Sequence, residues 1–310
     1  MARKILRIVL IVLLVLVAIM AIGVVRNWDT IQRVMLGGLK VYESEPPALP
    51  AEIARPAILV FSKTNGFRHE EAIPAANALF AKFAREKGWG HFQTENGATF
   101  SPEILARFDA VVFNNVSGDV FTPDQRAALK GFVENGGGFL GVHGAGGDFA
   151  YDWKWYVDDL IGAQFIGHTM NPQFPRATLR IEAKDHPVMA GLPEAWEREE
   201  EWYSFEASPR GKGFTILASV DESTYSTEGM WGQDLAMGKD HPVIWAHCQG
   251  KGRALYSALG HRAAAYAEPE YRKLLLAATD WVLREAGDAC NDSAINSATA
   301  GKNEPTGSGE

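Results

Sequence analysis

Apolar residues are distributed along the chain in three ways. From Ile8 to Val25 eighteen residues pass without a charge, roughly 27 Å as a helix at 1.5 Å per residue. Extending back past Arg7, whose stem can snorkel, brings the segment to the thickness of a bilayer core. Further on, the short continuous apolar runs "AILVFS" (57–62), "AVVFNN" (110–115) and "GFLGV" (138–142) alternate with stretches of helical period. In "EEAIPAANALFAKFAREKG" the periodic positions are Ile73, Ala76, Leu79, Phe80 and Phe83. "TPDQRAALKGFVENGG" predicts a helix with Thr122 as N-cap, Pro123 at its first position and glycines past its end. Beyond about residue 170 the pattern changes to extended runs separated by loops: "ATLRIEA", "EWYSFEA", "FTILASV" and "HPVIWAHC".

Buried strands alternating with amphipathic helices predict right-handed crossovers and a mostly parallel sheet covered on both faces. The later runs predict antiparallel additions to it. "HPVIWAHCQGKGRALYSALGH" reads as a hairpin turning at Gly250-Lys251-Gly252, and "EPEYRKLLLAATDWVLREAG" as a closing helix capped by Gly287. The domain expected from this pattern spans 56–287. Residues 26–55 end in "YESEPPALPAEIARP" and read as a tether without packing of its own, and 288–310 as a disordered polar tail.

The N-terminal segment, 1–25, is expected to be a membrane anchor rather than a cleaved signal peptide, because its apolar run exceeds the usual 7 to 15 residues. Arg3, Lys4 and Arg7 favour a cytoplasmic N-terminus, with Arg26, Arg33 and Lys40 weakening the asymmetry. On either reading the domain would face the periplasm or the cell exterior. A formal charge of -8 without a long basic run argues against a nucleic-acid partner. Cys248 and Cys290 are the only cysteines and lack CxxC spacing, so they define neither a disulfide framework nor a thiolate zinc site.

Candidate chemistry centres on "GGGFLGVHGAGGDF" (136–149). Gly136, Gly138 and Gly141 satisfy GxGxxG, but they enter a strand instead of opening a helix, which excludes a dinucleotide fingerprint. Gly141-Val142-His143-Gly144-Ala145 has the spacing of a strained turn that projects a nucleophile, with His in the projecting place. An imidazole shuttles protons but does not make an acyl-enzyme, so acyl transfer is not expected here.

"FRHEEAI", "GGGFLGVHGA", "WKWYVDDLIGAQFIGHT", "EEWYSF", "HPVIWAH" and "GKGRALYSALGH", in that order through 57–286, resemble the ThuA-like, trehalose-utilisation family. The resemblance implies a flavodoxin-like core similar to class I glutamine amidotransferases, with His where their catalytic Cys would stand. It further implies work on oxidised disaccharides, in particular 3-keto glycosides.

In an open α/β sheet ligands bind outside the carboxyl ends of the strands. His69, His143 and His261 all follow strand candidates, so three imidazoles are expected on one rim. His168, in "FIGHT", either reaches the same pocket or orders its own loop. Alternation along "EEWYSF" is expected to send one carboxylate inward, and Glu201 fits the resemblance best. Trp202 and Tyr203 offer a platform for a sugar ring or belong to the core. His241 is the other substrate-binding candidate on its strand; His247, roughly 20 Å away at 3.3 Å per residue, reads as structural. Arg253 either orients a substrate oxygen or pairs within the fold. No HxxxH or HExxH spacing occurs, so a metal would need ligands assembled in space; no metal and no other cofactor are expected.

Histidine and glutamate without a nucleophile point to proton transfer. The expected mechanism has His143 or Glu201 as base, with His69 and His261 donating hydrogen bonds to an enediolate, leading to isomerisation or eliminative cleavage of the keto-glycoside. The rivals are a non-catalytic sugar-binding module on a membrane tether and a residual amidase or other hydrolase using Cys248 or a spatially adjacent Ser.

Overall fold

The computed structural model describes residues 2–149 and 151–284. Helix α1 (Ala2–Arg26) contains an apolar span, Arg3–Arg26, long enough to cross a membrane and not buried against the rest of the chain. Length and composition suit a membrane anchor or a signal sequence alike. A short helix α2 (Trp28–Met35) follows.

The domain alternates β1 (Ala57–Phe61), α3 (Ala72–Lys87), β2 (Gly90–Thr94), α4 (Pro102–Leu105), β3 (Ala110–Asn114), α5 (Pro123–Glu134) and β4 (Gly138–Val142). All residues of β1, β3 and β4 are buried, as continuous apolar runs require when a sheet is covered on both faces. Thr122 caps α5 in a reciprocal capping box with Gln125, and Ser101 caps α4. A π-helical turn (Trp155–Ile161) then leads to β5 (Phe165–His168), β6 (Arg176–Ile181), β7 (Ala195–Glu199), β8 (Tyr203–Phe205), β9 (Thr215–Asp221), β10 (Pro242–Gln249), β11 (Gly252–Ser257) and α6 (Pro269–Val282).

Among the described residues, nine strands form one sheet in the order β2-β1-β3-β4-β11-β10-β9-β6-β7. The first five run parallel in the flavodoxin-like order, β11 taking the fifth place beside β4. The remaining four ladders are antiparallel. The β10–β11 hairpin turns through Gly250 and Lys251, with Gln249 opposite Gly252. The chain leaves β1 toward one edge and β3 toward the other, so a crevice opens at the carboxyl ends of the central strands.

Three features differ from the sequence reading. "EWYSFEA" does not join the main sheet: β8 pairs with β5 in a separate two-stranded sheet, placed above the crevice by its contact with His143. Helix α6 ends at Val282, and the Gly287 cap and the polar tail lie outside the described residues. The segment expected to be a bare tether packs along the domain. Leu39 N–H donates to Asn65 O, Tyr42 Oη to Asp119, and Gln125 Nε2 to Glu43 O.

Lys63 explains part of that docking. Its ammonium is buried and donates to Val41 O (2.7 Å) and Glu43 Oε2 (2.5 Å). Burial works to raise the Glu43 carboxyl, but the Lys63 and Gly97 hydrogen bonds outweigh it and hold it below the usual carboxylate value. Glu43→Gln is expected to cost about 2 kcal/mol in denaturant unfolding, because it strips a buried cation of its counter-charge. A folded-state pKa that is depressed gives stability present above the unfolded value, about 4.3, and lost as pH falls through the folded one. The difference between native and Glu43→Gln proteins should therefore shrink in acid. A difference constant from pH 7 to pH 3 would contradict this.

Candidate active site

Strand β4 ends at Val142, and a tight turn (His143–Gly146) opens on His143, whose φ of 45° lies in the left-handed region. The glycines here are needed for space. A Cβ on Gly144 would lie 3.1 Å from His69 Cε1, on Gly146 2.6 Å from Tyr256 Cζ, and on Gly147 2.5 Å from Tyr203 Cε2. Three ring side chains thus close directly on the turn, and Tyr256 Oη donates to His143 O (2.8 Å).

His143 Nδ1 lies 2.7 Å from Ala258 O, which as a carbonyl accepts only. The proton is therefore assigned to Nδ1, leaving the lone pair on Nε2. That nitrogen faces Tyr203 Oη at 2.9 Å, His261 Nδ1 at 3.2 Å and Glu201 Oε2 at 3.5 Å. Glu201 accepts from His261 Nδ1 (2.8 Å) and from Gln173 Nε2 (2.6 Å), with His168 Nδ1 3.2 Å from Oε1. Burial works to raise the Glu201 carboxyl, but hydrogen bonds from the surrounding imidazoles hold it well below the usual carboxylate range. His69 packs edge-on against both His143 and His261, ring centroids 4.7 Å apart in each case. Burial, and then the neighbouring imidazoles, push His69 well below the usual histidine range, so it is neutral at pH 7. One donor atom from each of His69, His143, Glu201 and His261 lies within 4.8 Å of the others.

The carboxylates do not alternate as expected, because residues 200–202 lie between β7 and β8 and not within a strand. Glu200 and Glu201 both point inward, 1% and 2% exposed. Glu200 pairs with buried Arg198 (2.8 Å) and accepts from the backbone N–H groups of Gly260 (2.9 Å), His261 (3.3 Å) and Glu201 (3.1 Å). It fixes the loop that carries His261. Sequence reasoning missed Glu200, Gln173 and Asn115, whose φ is 54° and whose Nδ2 donates to Tyr266 Oη (3.2 Å). Of these only Asn115 had a signal, as an Asn directly after a buried strand.

Three other candidates lie away from the cluster. Trp202 is core: 1% exposed, it donates from Nε1 to Pro175 O (3.0 Å) and offers no open ring face. His241 sits behind the site, bridging Glu222 Oε1 (2.7 Å) and Tyr203 O (2.8 Å), and so supports Tyr203. Arg253 lies at the start of β11, the end of the strand opposite the site, where it donates to Trp281 O (2.9 Å). His247 is structural, bound to Asp159 O and pushed down to about 4 by burial. Cys248 is disulfide-bonded and so is not a free thiolate nucleophile.

Access to the cluster is uneven. The side chains of His143 and Glu201 are 0% and 2% exposed, whereas His261 is 15% and His168 26% exposed. His168 is not on a loop after a helix but ends strand β5, opposite Tyr203. Its Nδ1 faces two acceptors, Thr169 O (2.9 Å) and Glu201, which places the proton on Nδ1 and the lone pair on Nε2. Phe67, about half exposed, and Phe174 flank His261 at ring distances of 6.4 and 5.0 Å. These two rings, and not Trp202, are the apolar side chains beside His261.

Residues 57–282 match the family described as ThuA, trehalose utilisation. The chain belongs to the ThuA family. Two of the solved structures that share its fold are ThuA-like proteins. One is a ThuA-like protein from Bacteroides uniformis, 25% identical, with a TM-score of 0.64 over 77% of this chain and 95% of that one. The other is a ThuA-like protein from Parabacteroides merdae, 17% identical, with a TM-score of 0.56 over 76% and 92%. No curated protein is similar enough in sequence to match. The ThuA match covers β1 to α6 and so all four clustered donors, His168 and Gln173.

Proposed function

We propose that this ThuA-family chain is a membrane-tethered enzyme that moves protons on an oxidised disaccharide, a 3-keto glycoside such as 3-keto-trehalose. The observation that carries the reading is His168, a quarter-exposed imidazole whose Nδ1 proton is tied to Thr169 O and Glu201, which leaves the lone pair on Nε2. Family membership supports the carbohydrate.

A ketone at C3 acidifies the hydrogen on C2. A base takes that proton, and the C–H electrons move into the carbonyl to give an enediolate. Returning the proton to C3, with loss of the O2 proton, yields the 2-keto isomer; expulsion of the C1 oxygen cleaves the glycoside. His168 is the base in this scheme. His143 and Glu201, expected in that role from sequence, are closed off from solvent, and a strongly acidic carboxylate is a weak acceptor for a carbon-bound proton. They order the site instead, Glu201 as the acceptor for His261 and His168 and His143 as the partner of Tyr203, while His69 and His261 donate to the oxyanion. Phe67 and Phe174 supply apolar contact for the sugar ring.

The tethered domain is placed outside the cytoplasm in this reading. The disulfide at Cys248 fits an oxidising compartment, and it disfavours the thiol hydrolase. The test is incubation of the full chain with 3-keto-trehalose in deuterated buffer. Deuterium should enter the carbon beside the ketone, seen by mass spectrometry. Sugar binding by calorimetry with neither exchange nor conversion would make the chain a binding module instead.

A further inference from the structure

We propose that His69, His143, His261 and Glu201 bind one divalent transition-metal ion, of the zinc or manganese type. The sequence spacing gives no hint of it; the fold brings the four donors together from four separate loops. Three mutual distances are short: His143 Nε2 to His261 Nδ1 3.2 Å, His143 Nε2 to Glu201 Oε2 3.5 Å, and His261 Nδ1 to Glu201 Oε2 2.8 Å. Ligands about 2.1 Å from a metal lie roughly 3.4 Å apart on a tetrahedron and roughly 3.0 Å apart at neighbouring octahedral corners. The three donors therefore already stand at the spacing of one coordination face. His69 closes on the same point, all four donors lying within 4.8 Å, and its buried Nδ1 has no hydrogen-bond partner.

The outer contacts are those a metal site needs. His143 Nδ1 is anchored on Ala258 O, which turns the Nε2 lone pair inward, and Gln173 fixes the Glu201 carboxylate. Three imidazoles and one carboxylate suit zinc, manganese, iron or nickel, and not calcium or magnesium, which take oxygen shells. Binding needs no net loss of charge by the imidazoles: the His261 proton moves from Nδ1 to Nε2, and Tyr203 Oη gives up its bond to His143 Nε2. A dication with one carboxylate leaves a net positive charge at the place where the proposed enediolate oxygen would lie. This use rests on the proton-transfer reading; the binding does not.

The full chain, purified in detergent and stripped with a chelator, is dialysed against Zn²⁺ or Mn²⁺ and its metal content measured. About one ion per chain is expected, with a raised melting temperature. His261→Ala and Glu201→Gln should abolish retention, Gln173→Ala should weaken affinity by about 10- to 100-fold, and His247→Ala should leave it unchanged. Should a variant fail to fold, X-ray absorption of the zinc-loaded native protein reads the same donors directly. Retention of neither ion, retention undiminished in the folded His261→Ala and Glu201→Gln proteins, or a zinc shell without imidazole would overturn the site. Because none of these readouts uses substrate, a metal-loaded protein that exchanges no deuterium would refute the proposed reaction and leave the metal site standing.

Discussion

The His168→Ala protein is expected to lose about 10²- to 10⁴-fold in the rate of deuterium exchange into 3-keto-trehalose, the range a positioned general base supplies. Its melting temperature should move little. The side chain is a quarter exposed and is held only by Thr169 O and Glu201, so its removal opens no cavity in the core and costs less than about 1 kcal/mol. Added imidazole should restore part of the rate, since the site left behind opens to solvent. That rescue separates a base from a residue that merely orders its loop. Glu201→Gln would by contrast remove both the charge that orients His168 and a proposed metal ligand, and free imidazole should not repair it. Exchange unaffected in His168→Ala would return the base role to the closed pair His143 and Glu201.

The parallel half of the fold was legible because each strand there is covered on both faces and so declares itself as an unbroken apolar run. The same logic anticipated the cluster: histidines in the segments that follow such runs were expected on one rim, and His69, His143 and His261 do come together. The second half was harder. Strand β7, "AWERE", has little apolar alternation because it is an edge strand with only one neighbour. β8 carries three buried residues in a row, which fits a central strand as well as the small sheet it actually joins.

The supporting residues were illegible for a different reason. Gln173 and Glu200 sit in irregular segments, where no periodicity assigns a direction to a side chain. Glu200 also looked like part of a solvated acidic run until Arg198, two residues earlier, proved to be buried beside it. The docked segment before β1 misled through its prolines, which were compatible with an extended chain lying on the surface as much as with a free tether. Lys63, an isolated cation directly after a buried strand, was the unused signal there: a lysine so placed requires a partner, and Glu43 provides it.

Glu200→Ala is expected to destabilise the fold by about 3–5 kcal/mol in chemical denaturation, the cost of leaving a buried ion without its partner. The Arg198 side chain is 1% exposed and stacks over the Tyr271 ring at 4.8 Å, so it has no route to water. Glu268, 3.4 Å from Arg198 Nη1, takes over part of the charge, which favours the lower end of the range. The backbone N–H groups of Gly260, His261 and Glu201 would lose their acceptor at the same time. Those three hold the loop that sets His261 against Glu201, so metal retention should fall together with stability. Replacing both charges, Arg198→Met with Glu200→Gln, separates the two effects. Stability should recover substantially because no buried charge is stranded, while metal affinity should stay weakened because a neutral amide has only one acceptor oxygen for three backbone donors. Denaturation midpoints that agree between native and Glu200→Ala proteins would show that Glu200 is not what holds the His261 loop.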